Sequence, residues 1–78
     1  MEFHASGFDE ATRTASVMCC TDTTCAMAKV VVTPEEAARW AAIGDPAAVA
    51  CRALERAAAA GQDPLTVTAV AHVTASLE

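Results

Sequence analysis

The longest regular alternation of apolar and polar positions lies near the end of the chain. Leu65, Val67, Ala69, Ala71, Val73 and Ala75 fall on one side, and Thr66, Thr68, Val70, His72, Thr74 and Ser76 on the other. A period of two marks a half-buried strand, so a strand is expected from Leu65 to Ser76. At the other end, residues 2–8 alternate more loosely and run into Asp9-Glu10-Ala11-Thr12, whose composition suits a turn. Between them, Arg13 to Cys20 and Cys25 to Thr33 are rich in β-compatible residues and flank the turn-like Thr21-Asp22-Thr23-Thr24. Together they predict a hairpin.

Two helix starts are written in the middle of the chain. Thr33-Pro34-Glu35-Glu36 offers an N-cap, a proline at the first helical position and a glutamate placed to close a capping box, which predicts a helix from Pro34 to about Ile43. Gly44 ends it, Asp45 and Pro46 repeat the start signal, and Gly61 ends a longer helix carrying Val49, Ala50, Leu54, Ala57 and Ala58. The order β-β-β-α-α-β implies an α+β domain: a mostly antiparallel four-stranded sheet with two helices on one face.

The length, 78 residues, leaves room for one core, so residues 1–78 read as a single domain. With 54% hydrophobic and 19% charged residues the chain is too apolar for intrinsic disorder. Much of that apolar content is alanine, in the style of a high-GC bacterial or phage genome, and the only aromatics are Phe3, Phe8 and Trp40. One core of this size rarely supplies more than about 3 to 5 kcal/mol, and a thin one favours oligomerisation. A formal net charge of −5 gives no basic footprint for nucleic acid or an anionic membrane surface, and neither is expected as a partner. The first residues carry neither a basic leader nor an apolar run, so a cytoplasmic location is expected.

The pairing of the hairpin concentrates the unusual chemistry. With the turn at 21–24, paired residue numbers sum to 45, which sets Cys20 opposite Cys25, Cys19 opposite Ala26, Met18 opposite Met27 and Val17 opposite Ala28. One face then holds Ala15, Val17, Cys19, Ala26, Ala28, Val30 and Val32, small and apolar, and is expected under the helices. The other holds Thr14, Ser16, Met18, Cys20, Cys25, Met27, Lys29 and Val31. On a face open to solvent, two thiols and two thioethers stand out.

Three readings follow. The leading one is a non-enzymatic accessory or interaction module, a homodimer whose contact is the open face at Met18, Cys20, Cys25, Met27 and Val31. The alternative is a soft-metal or thiol-redox protein. Opposed hairpin residues share one space, and Cys20 and Cys25 with Met18 and Met27, and Cys19 or a histidine as a further ligand, are ligand types for Cu(I) or Zn(II), although Cys-Cys-x4-Cys is not a zinc-ribbon spacing. A cross-strand Cys20-Cys25 disulfide is geometrically conceivable, but strained pairs of this kind are labile and in a reducing cytosol free thiols are the default expectation. A small enzyme is the third reading. No nucleophile, base and orienting group assemble in the sequence, and Gly7, Gly44 and Gly61 form no phosphate cradle, so no catalytic residue is nominated.

Other residues receive plainer expectations. Cys51 reads as a small buried hydrophobe. Trp40 reads as core packing on a helical face shared with Ala37, Ala41 and Gly44, or, at a sheet edge, as a partner anchor or the lining of a small pocket. His4 and His72 meet only if the first and last strands are neighbours. Leu77-Glu78 receives no role.

Overall fold

A computed structural model describes all of residues 1–78. The N-terminal 31 residues form a three-stranded antiparallel sheet in the order β1 (Glu2–Asp9), β2 (Thr14–Cys20), β3 (Cys25–Val31). The hairpin register agrees with the expected pairing: Thr14 faces Val31, Val17 faces Ala28, Met18 faces Met27 and Cys20 faces Cys25. The turn that sets it is tied by the Thr21 amide to the Thr24 carbonyl at 2.7 Å and by the Thr21 hydroxyl, which accepts from the Thr24 amide at 3.1 Å. β1 pairs with β2 through a bulge between Ala5 and Gly7, which keeps both Phe3 and Phe8 on the covered side. Between β1 and β2 the turn places Arg13 at φ 56°, a conformation uncommon outside glycine. Its guanidinium lies 5.0 Å from the Phe8 ring centre and its Nε donates to the Val32 carbonyl at 3.1 Å, two contacts that hold the turn against the sheet.

One main helix covers the inner face of that sheet. α1 (Pro34–Arg39) has the expected capping box: the Glu36 amide donates to the Thr33 hydroxyl and the Thr33 amide to the Glu36 carboxylate. It stops four residues before the expected Ile43. It has no fully buried residue, so packing adds little to a helix too short to be stable alone. The chain must also leave the helical region before Asp45, which precedes a proline and is extended at ψ 173°. α2 (Pro46–Ala59) begins and ends where expected, with Asp45 as N-cap. At its C-terminus Gly61, at φ 84°, sits between two reversed bonds, Gly61 N–H to Ala58 C=O and Gln62 N–H to Ala57 C=O, which use up the last carbonyls. Val49, Ala50, Ala53, Leu54 and Ala57 make its buried stripe at helical spacing.

The fourth strand is not formed. Residues 64–78 run instead through two 3₁₀ turns, Pro64–Thr66 and Val70–His72, pack against the sheet, and pair with it by a single parallel bridge from Val31 to Ala69. Asp63 starts the first turn by accepting the Leu65 amide at 3.0 Å, with Pro64 at its first position. The buried residues are Pro64, Val67, Val70 and, further on, Leu77, with Val73 half-buried. From Pro64 to Val73 burial thus recurs every third residue, the period of a 3₁₀ path, and not every second as in a strand. The apolar-polar alternation was there, but half of the alternating apolar set consists of alanines, which the core does not need. The expected four-stranded, two-helix arrangement is therefore corrected to a three-stranded sheet with one main helix and a tail.

The core lies between the sheet, α2 and this tail. Its largest fully buried side chains are Val17, Val30, Val32, Val49, Leu54 and Val67; no aromatic is among them, and Phe3, Phe8, Trp40 and Ile43 pack at its margin. Small residues on both α2 and the sheet let the layers approach closely. No helix is long and apolar enough to cross a membrane.

Candidate functional site

The outer face of the sheet has no layer over it. Its rows, read across β1, β2 and β3, are Glu2-Cys20-Cys25, then His4-Met18-Met27, then Gly7-Ser16-Lys29, then Asp9-Thr14-Val31. Each row is one residue per strand on one side of the pleat, so strand pairing alone gathers the residues that the sequence separates. Cys20 and Cys25 are joined in a disulfide that bridges β2 and β3. Met27 is 41% and Val31 37% exposed, large apolar side chains left in solvent, while Met18 and Cys20 on the central strand are half-buried. Lys29 Nζ donates to Ser16 Oγ at 2.7 Å, and His4 Nε2 lies 3.5 Å from Glu2 Oε2, an ion pair only when the imidazole is protonated.

All five residues singled out from the sequence, Met18, Cys20, Cys25, Met27 and Val31, thus lie on this one face. The four nominated as metal ligands, Met18, Cys20, Cys25 and Met27, are altered by the disulfide: two sulfurs bonded to each other become thiolate ligands only after reduction. No group of three or more His, Cys, Asp and Glu side chains is gathered anywhere in a way that could hold an ion. His72 does not join the face. The tail runs beside β3, at the opposite edge from His4, and His72 Nδ1 instead lies 3.2 Å from Thr68 Oγ1.

The two remaining cysteines are free and belong to the other side of the sheet. Cys19 is buried in the core; burial pushes its thiol above the ordinary value, and the Asp63 carboxylate pushes the same way. Cys51, half-buried on α2, reaches the Phe3 carbonyl at 3.5 Å, and burial is again the main cause raising its thiol, followed by Glu55 and Cys19, with Arg52 opposing. Both are held as thiols at neutral pH, poor nucleophiles and poor ligands. Adjacent Cys19 and Cys20 are therefore chemically unlike because they point to opposite faces.

One cavity, of about 360 Å³, lies apart from the disulfide, between α1 and the tail. Trp40 and Arg39 form one wall and Val73, Thr74 and Leu77 the other. The guanidinium of Arg39 lies 4.9 Å from the Trp40 ring centre, and the Glu36 carboxylate at the rim is engaged in the capping box. Trp40 packs on the core margin as expected, but as the cap residue of α1 and not on a continuing helical face, and Ala41 is exposed. The sequence offers Trp40 as a candidate pocket residue but not the tail wall of this groove, which needs the tail to leave the sheet, nor Leu77, which is 3% exposed and packed in the core. The only sequence signal for Leu77 is its size among small neighbours.

Fold and site together define a two-layer α+β domain with an uncovered sheet face that carries a cross-strand disulfide and two thioethers. No family model, curated protein or solved structure matches the chain.

Proposed function

We propose that the protein is a non-enzymatic interaction module that forms a homodimer through the outer face of its sheet. The observation that carries this reading is the exposure of Met27 and Val31 on a face with no layer of its own, beside Met18 and the disulfide. Strands of seven residues at about 3.3 Å each, in three rows about 4.8 Å apart, give a footprint near 23 by 14 Å. That is small beside the roughly 800 Å² per partner of a standard interface, so a dimer of modest affinity is expected. Burial of apolar surface drives it, and the thin core gives the monomer reason to associate. Light scattering coupled to size exclusion at high micromolar concentration, under reducing conditions, should give twice the chain mass. A monomer there rejects the reading.

A second reading, thiol-redox chemistry, is favoured by one specific observation: Cys20 and Cys25 are bonded and sit on the open face, while Cys19 and Cys51 are sheltered. An accessible disulfide between adjacent strands is open to attack by external thiolates. Thiol titration of the acid-denatured, never-reduced protein tests it. Two free thiols support it and four remove it.

A further inference from the structure

Thiol-disulfide exchange proceeds by attack of a thiolate on one sulfur in line with the bond that breaks, so the two sulfurs differ by what stands behind each. Here the bond runs across the sheet from β2 to β3. To strike Cys25, a thiolate must come from beyond β3. That strand is an edge at its start and Cys25 is exposed; the tail's only bridge to β3 is at Val31, about 20 Å further along the strand at 3.3 Å per residue, although its first turn, Pro64–Thr66, also lies against β3. To strike Cys20, it must come over β1. There Glu2 stands directly opposite Cys20 on the same face, its carboxylate against an incoming anion, and Cys20 is itself half-buried on the central strand.

Resting on the redox reading, we propose that Cys25 is the sulfur attacked and Cys20 the leaving thiolate, and that the thiol this site accepts is carried on a neutral or basic molecule. In the first step a thiolate RS⁻ forms a bond to Cys25 Sγ, the Cys20–Cys25 bond breaks, and Cys20 leaves with the electron pair and takes a proton from water. In the second step another thiolate, from the same dithiol or a second molecule, attacks the sulfur of R, releasing Cys25 as thiolate and forming the oxidised disulfide of R. The thiol loses two electrons and the protein disulfide gains them. Selection against anionic thiols comes from Glu2 and from Asp22 in the turn between the two cysteines, with a chain charge of −5 behind them. Lys29, the nearest cation along β3, lies four residues away and is engaged with Ser16.

The test uses the whole chain. It is exposed briefly to cysteamine or to glutathione, quenched in acid, alkylated, and mapped by mass spectrometry for the position of the mixed disulfide. The proposal expects the cysteamine adduct on Cys25 in excess over Cys20 by roughly tenfold, and a Glu2→Ala variant to narrow that excess. At equal thiolate concentration, cysteamine should react several-fold faster than glutathione, with the gap closing in high salt. Adducts mainly on Cys20, or evenly shared, overturn the assignment while leaving the redox reading in place; equal rates for the two thiols overturn the charge selection. Four free thiols in the untreated protein overturn the redox reading and this inference together.

Discussion

The two faces of the sheet are made by the same strands, yet they are different materials. On the inner face Ala15, Val17, Cys19, Ala28, Val30 and Val32 are at most 4% exposed, and α2 lies on them with Val49, Ala53, Leu54 and Ala57. On the outer face the alternate residues, Met18, Cys20, Cys25, Met27 and Val31, are half-buried or exposed. The inner face is built from short, rigid side chains that fix a distance between layers, the outer from flexible, polarisable sulfur groups that adapt to what they meet. Stability resides in the first, and the proposed contact and thiol chemistry in the second.

That division can be broken most directly at Leu54, the largest fully buried side chain. Leu54→Ala should lower the unfolding free energy by about 2 to 4 kcal/mol, read by urea denaturation, because the close-packed alanine layers have little freedom to collapse into the space. A smaller effect is expected where α2 is seated. Gly44 has φ 149°, and a Cβ there would come within 2.8 Å of the Ala48 Cβ. Gly44→Ala should therefore cost about 1 to 3 kcal/mol in the same assay, from backbone strain and this collision.

The thiols of the inner layer add a pH dependence. Cys19 and Cys51 have folded values raised from 9.0, so the folded state holds their protons more tightly than the unfolded chain. Their contribution is whole below pH 9.0 and is lost as the pH rises above it. Denaturation midpoints should fall in alkali, and less steeply in a Cys19→Ala, Cys51→Ala double variant; equal slopes would contradict the burial argument. The smallest effect on stability belongs to the outer face. Met27→Ser should change the monomer's unfolding free energy by no more than about 0.5 kcal/mol while weakening self-association, measured by light scattering.

The parts of this picture that were legible in the sequence are those fixed locally. A four-residue turn sets the hairpin register, and register with alternation decides which side each cysteine takes, so the Cys20-Cys25 pairing and the contents of both faces follow from counting. The caps of α2 are short-range signals of the same kind. The tail was misread because its period depends on what it packs against: Asp63 and Pro64 turn the chain at the first step, and thereafter Val67, Val70 and Val73 face the core at intervals of three. Alternating alanines and threonines fit both paths equally well. With the tail went the meeting of His4 and His72 and the groove beside Trp40, which depend on where a non-local segment settles.

The central claim is that the outer face is where this protein meets another copy of itself. Methyl NMR spectra recorded from low to high micromolar concentration test it residue by residue. The account predicts concentration-dependent shifts for Met18, Met27 and Val31, with Val17, Val49 and Leu54 unmoved. Shifts absent at every concentration, or centred on residues away from the outer face, would contradict it.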